Sequence, residues 1–467
     1  MTIADDFCGY LTINGDRFTF SVSKQIVTLL SSKDRVRNRI EITDRIASPT
    51  EELPAFVYGE DNESQVVFMI KSGFRRSLVG LNSALRFSTP LIIKENGNAV
   101  GFYKNLTMPW DKFHAITFVG GNINALCDPQ MAIRKQNTDD TTIHDGSNVI
   151  ELLPWDAYSR TIDLLIGGEK TTLTISVKQN GGRHDSNRKG AFVLGELNTF
   201  IRFTFENAKG FEAIEKFYII AKSLVSLLTL QDNVSFDTYL SQKNHDNLLF
   251  CSAVCKIFDN YSNYSLRNQS RVIPIYEVFD CLPALVELIE NHKIDALLSL
   301  LPSDNGRVNM ISISNVQDLC SSLEVAYEWE KRTREKDGKI EDLKKAIKDT
   351  IADFTDSHPE LNVYTQTTIS SAFMYLDYSL KDKIETLYHE NQSVADIVSR
   401  KHVLPLLSEE SIAAFVKLRN GRTHRGKAEW GESAEIYPVL FAVEYACVLK
   451  HIGVPQNTIE YFISQLF

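Results

Sequence analysis

The chain has little that would staple or anchor it. Its seven cysteines (Cys8, Cys127, Cys251, Cys255, Cys281, Cys320 and Cys447) are odd in number and scattered, which fits a reducing compartment better than a disulfide framework. Only Cys251 and Cys255 stand close together, at a spacing that suits one face of a helix. No second Cys or His pair follows at zinc-finger spacing, so neither a metal nor another cofactor is expected. Met1-Thr2-Ile3-Ala4-Asp5-Asp6 is acidic and leads into no apolar stretch, so no secretory signal is expected. The apolar run from Ile219 to Leu230 is broken by Lys222 and by serines, well short of a bilayer span. The expected location is cytoplasmic, with no membrane partner. Ser-His-Asp, H-E-x-x-H and dinucleotide signatures are all missing.

What is present is an ordinary globular composition, with 43% hydrophobic and 24% charged residues. A chain of 467 residues exceeds one hydrophobic core and implies about two or three domains. The net charge of -10 excludes a protein that coats nucleic acid through its overall field, so any RNA contact must be local.

The expected fold class is α+β and multidomain. Over 1–205, short β-branched and aromatic runs alternate with turn signals. The hairpin Tyr10-Leu11-Thr12-Ile13, Asn14-Gly15-Asp16, Arg17 to Val22 is the clearest, and runs at 65–71, 90–94, 114–119, 161–166 and 171–177 follow. This spacing predicts an antiparallel β-rich domain, a sandwich-like arrangement or a barrel. From about Asn207 the apolar period changes to three and four, predicting helices at 207–232, 236–261 and 274–300 and a middle helical segment over 206–305. Pro302-Ser303-Asp304-Asn305-Gly306 reads as a linker. A helical domain over 310–467 opens with Ser314-Asn315 as cap and continues with helices at 367–389, 393–400, 409–424, 433–450 and 456–466. Trp110 and Trp155 read as core residues.

Near its end this acidic chain concentrates positive charge. Lys417, Arg419, Arg422, Arg425 and Lys427 surround His424 with no carboxylate among them. The spacing Arg419-Asn420-Gly421-Arg422-Thr423-His424 resembles the R-N-x-x-x-H form of the ribonuclease motif of HEPN domains, the helical nucleotide-binding domains of prokaryotes and higher eukaryotes. A β-rich N-terminal region ahead of a C-terminal HEPN helical bundle is similar to the ApeA-like abortive-infection proteins. The resemblance implies a metal-independent endoribonuclease of an anti-phage system, acting on RNA, with tRNA as a candidate. It also implies a homodimer through the HEPN domain, because HEPN motifs meet across a two-fold axis and this chain has one. A phage-derived trigger would act at the N-terminal domain.

The chemistry gives each residue a role. His424 would carry the proton, Arg419 would stabilise charge on the phosphorane with its bidentate fork, and Asn420 would orient imidazole or phosphate. Lys417, Arg422, Arg425 and Lys427 read as RNA-backbone contacts. If helical geometry holds, Asn420 and His424 lie about 40° apart on one face and Arg419 about 140° from His424. Glu324 and Glu328, one turn apart, would favour protonated His424 if they lie near it. Two other readings stay open. A cationic helix C-terminus is also ordinary dipole compensation, which would leave a non-catalytic RNA- or nucleotide-binding interaction protein with a helical dimerisation domain. A toxin paired with a nucleotidyltransferase-like antitoxin is a third class. The basic stretch from Lys178 to Lys189 lacks a P-loop pattern and reads as a hairpin tip, with RNA or trigger contact as its alternative.

Overall fold

The computed structural model describes residues 3–31, 54–62, 64–71, 73–79, 82–96, 110–136, 149–180, 183–184, 192–193, 196–259, 271–308, 311–329, 338–358, 379–404, 406–425 and 434–467. The chain forms two units, one of residues 1–225 and 233–265, the other of residues 226–232 and 266–467.

The first unit is built on one antiparallel sheet. Its strands are β1 (Asp6–Ile13), β2 (Asp16–Ser23), β3 (Ile26–Ser31), β4 (Phe56–Glu60), β5 (Gln65–Met69), β6 (Arg75–Val79), β7 (Asn82–Ser88), β8 (Leu91–Glu95), β9 (Lys112–Val119), β12 (Arg160–Ile166), β13 (Glu169–Asn180), β16 (Glu196–Gly210), β17 (Asp237–Lys243) and β18 (Leu249–Ile257); β10 (Ile133–Gln136) pairs with β11 (Val149–Leu152), and β14 (Arg183–His184) with β15 (Phe192–Val193), as separate ribbons. The order is β12-β13-β16-β9-β17-β18-β8-β5-β4-β1-β2-β3-β7-β6. Asn14 and Gly15 both take positive φ, 50° and 82°, between Ile13 and Asp16, as a two-residue hairpin of matching twist requires.

The expected α+β class and antiparallel sheet are present, and the sheet's hydrogen bonding is continuous along that strand order, with a core on each face. Leu11, Phe18, Phe20, Leu29, Phe68 and Ile92 bury one face. On the other, Phe118, Phe203 and Phe205 meet Tyr218 and Phe217 of the helix Ile214–Thr229. β5 and β8 join the two halves because their consecutive apolar residues, Val66-Val67-Phe68 and Leu91-Ile92-Ile93, bury both faces.

The helix expected at 236–261 is the hairpin β17–β18. Asn244 Oδ1 accepts from the backbone N–H of Asp246 at 3.0 Å and of Leu248 at 2.8 Å, and Asn247 adopts φ 59°, a local side-chain turn that ends one strand and starts the next. Cys251 and Cys255 therefore share a strand and not a helix, and the middle helical segment of 206–305 is divided between the units. Pro302–Gly306 is packed rather than a linker: Asn305 is fully buried, accepts from Arg271 Nη1 through its carbonyl at 2.9 Å and donates to Arg271 O at 3.3 Å. Trp155 is exposed, 47% of its surface open, against its expected place in the core; it stacks on Phe200.

The helices, numbered in chain order, are α1 (Ile123–Leu126), α2 (Trp155–Tyr158), α3 (Ile214–Thr229), α4 (Leu282–Glu290), α5 (Asp295–Leu300), α6 (Ile313–Trp329), α7 (Gly338–Ser357), α8 (Leu380–Glu390), α9 (Gln392–His402), α10 (Glu409–Arg425), α11 (Tyr437–His451) and α12 (Gln456–Leu466). In the second unit α11 is buried from Tyr437 to Leu449 and packs against α6, α8, α9 and α12, so an all-round apolar helix takes the centre. α6 begins two residues earlier than its expected cap: the Ser312 hydroxyl accepts from Asn315 N at 3.2 Å. No helix among the described residues is long and apolar enough to cross a membrane.

Candidate functional site

Ser408 starts the motif helix α10. Its hydroxyl accepts from Ser411 N at 3.2 Å and its carbonyl from Ile412 N at 3.0 Å. Glu409 and Glu410 occupy the first turn, at the positive end of the helix dipole. The Glu410 carboxyl is lowered by a hydrogen bond to its own backbone and by the Ser408 hydroxyl. Ile412, Phe415 and Leu418 are buried, and α10 packs with them against α6 and α8. The opposite stripe, Glu410, Ala414, Lys417 and Asn420, is exposed.

The helix runs through Gly421 to Arg425, so the glycine does not end it. Continuous helical backbone sets Lys417, Asn420 and His424 on one stripe of the helix, with successive positions turning by about 100°. Arg419 lies on the flank of that stripe, half-buried. Its guanidinium nevertheless reaches round: Nη1 donates to Asn420 Oδ1 at 3.1 Å. Two of the three motif side chains are thus in contact. His424, Arg422 and Arg425 are placed by their backbone in α10, their side chains lying outside the described residues; Lys427 lies outside the described residues altogether.

Behind the motif, α6 supplies Cys320, whose thiol burial pushes up to about 12 while the Arg419 guanidinium opposes that rise and Glu324 adds to it. Glu324 and Glu328 do not stand as open carboxylates for a histidine. Lys383 of α8 pairs with both, at 3.8 Å and 3.0 Å. Lys381 similarly meets Glu385 at 3.1 Å and Glu409 at 3.7 Å.

One ionisable group went unnoticed in the sequence. Glu444 is fully buried in α11; burial raises its carboxyl to about 7, Ser322 Oγ donates to Oε1 at 2.5 Å, and Oε2 has no hydrogen-bond partner among the described residues. Its signal was a single acid inside the apolar run Tyr437–Leu449.

No family model matches the chain, no curated protein matches it, and no solved structure matches it.

Proposed function

We propose that the chain is a metal-independent endoribonuclease of the HEPN type, in a bacterial anti-phage abortive-infection system in the cytoplasm, with the Arg419–His424 segment as half of a two-fold active site. The observation that carries this reading is the Arg419–Asn420 contact beside the exposed stripe that leads to His424. The planar guanidinium fork of Arg419 matches two phosphate oxygens, and its contact with Asn420 holds it at the flank of the exposed stripe.

In the proposed reaction a histidine takes the proton from a ribose 2′-hydroxyl. The 2′-oxygen forms a bond to the adjacent phosphorus, the bond from phosphorus to the 5′-oxygen breaks, and that oxygen leaves with a proton. Products are a 2′,3′-cyclic phosphate and a 5′-hydroxyl. The one motif histidine per chain, His424, provides one proton carrier, and a second copy across a dimer axis provides the other. Lys417, Arg422, Arg425 and Lys427 would hold the RNA backbone, with a tRNA loop as a candidate substrate.

The test incubates the purified full chain with bacterial RNA in EDTA, with and without extract from phage-infected cells. Cleavage by wild type that is lost in His424→Ala and Arg419→Ala, with dimerisation retained, supports the enzyme. RNA retained on the protein but intact under both conditions supports the non-catalytic binder.

A further inference from the structure

The helices packed around α11 seal several polar atoms away from water. Besides Glu444 Oε2 these are Trp329 Nε1 of α6, Asn391 Oδ1 at the start of α9 and Ser399 Oγ of α9, none with a hydrogen-bond partner among the described residues. Trp329 meets α11 at the His451 ring, the centres 5.0 Å apart, and Asn391 meets it through Nδ2, 3.5 Å from Cys447 Sγ. A polar atom sealed in this way is costly while dry and is relieved when water reaches it. The seams of α11 are therefore poised for local opening.

α6 packs against both α11 and α10. Ser322, which donates to Glu444, and Cys320, whose thiol feels the Arg419 guanidinium, stand two residues apart on α6. That separation turns them about 200° from one another, onto opposite sides of the helix. α6 thus joins the buried acid to the back of the motif helix. Cys320 and Glu324 of α6, Lys383 and Tyr388 of α8, Asp396 of α9 and Glu460 of α12 are the titratable groups nearest in the fold. None of them acts on the Glu444 carboxyl, which is governed by burial and by the Ser322 hydroxyl.

We propose that the seam between α6 and α11 is a proton-gated latch, whose opening hydrates Glu444, releases its proton and loosens the support of α10; as regulation of the Arg419–His424 site, it rests on the ribonuclease reading. In the closed seam burial holds the carboxyl at about 7, and hydration returns it to its ordinary 4.5. Between these values the closed seam binds a proton that the open seam does not. Opening then becomes about tenfold more favourable per pH unit, and the gain levels off once the closed form ionises as well. Acidification tightens the latch.

Mass-resolved alkylation of Cys320 and Cys447 in the full chain tests this without RNA, because both thiols are buried and react when the seam opens. Rates are taken relative to the exposed Cys8. Between about pH 5 and pH 7, labelling of both in wild type is expected to rise about tenfold per unit beyond that in Glu444→Gln. Cys127 and Cys255, buried in the first unit, are expected to show no such rise. Ser322→Ala removes a donor to the charged carboxyl and is expected to carry the rise to higher pH, whereas weakened packing alone would raise labelling equally at every pH. Parallel labelling of wild type and Glu444→Gln, or a rise at Cys447 with none at Cys320, would overturn the latch. The expected labelling in a chain that cleaves no RNA at any pH would support the latch and count against the ribonuclease reading alone.

Discussion

Arg419 and Asn420 are adjacent on α10, and adjacent helical side chains do not face one another by backbone geometry. Only a long side chain brings their polar ends to 3.1 Å. Lysine has the length but not the planar fork, so Arg419→Lys is expected to lower RNA cleavage by about 10²-fold, the scale of losing one preorganised donor to a developing charge; single-turnover rates check it, and a rate within twofold of wild type would remove the fork from the account. Glu444 gives a residue-scale prediction of another kind. Its folded value of about 7 lies above the ordinary 4.5. The protonated carboxyl therefore contributes stability that is full below pH 4.5 and is lost as pH rises through 7. Glu444→Gln should abolish this slope and stabilise the helical unit above pH 7 by on the order of 2–3 kcal/mol. Hydrogen exchange of α11 amides across this range measures it, and an unchanged slope in the variant would assign the dependence to another group.

Two tight turns of the sheet separate the conformational demand on glycine from the steric one. Gly121 has φ 54°, and a Cβ there would lie 1.9 Å from the Ser235 carbonyl oxygen; Gly168 has φ 75° with open space around it. Gly168→Ala is therefore expected to cost about 1 kcal/mol, and Gly121→Ala several times more, because the backbone of the 233–238 segment must move. Urea unfolding of the two variants compares them, and similar midpoints would contradict the close packing at Gly121. At this scale the sequence carried much of the fold. Asn14-Gly15 marked its hairpin, and the periodic stripe Ile412, Phe415, Leu418 marked α10 and its buried side. β17–β18 was not legible as strands, because a bulge between Leu240 and Ser241 and burial on both faces erase the two-residue alternation, leaving spacings that also fit a helix. The continuous sheet was hidden for the same reason at β5 and β8. At the candidate site, the placing of Lys417, Asn420 and His424 on one stripe followed from helical period alone, whereas the Arg419–Asn420 contact depends on the reach of the arginine. The pairing of Glu324 and Glu328 with Lys383 did not, since it joins α6 to a helix far along the chain.

At the scale of the whole molecule, the proposed reading has an acidic chain concentrate RNA contact on one cationic segment, and a single motif per chain makes the proposed site incomplete without a second copy. Cleavage should therefore fall more steeply than protein concentration on dilution, in step with dimer dissociation measured by sedimentation. Activity per chain that stays constant through dissociation would contradict the two-fold site. RNA affinity should also fall with salt, with a slope near 0.7 per neutralised phosphate for a single strand. The central claim, a histidine-dependent attack by the ribose 2′-hydroxyl, is tested most directly by mass analysis of the RNA ends left by wild type in EDTA. The account predicts 2′,3′-cyclic phosphate and 5′-hydroxyl ends, absent with His424→Ala. Ends bearing a 3′-hydroxyl and 5′-phosphate, or the same cyclic ends produced at an undiminished rate by His424→Ala, would contradict it.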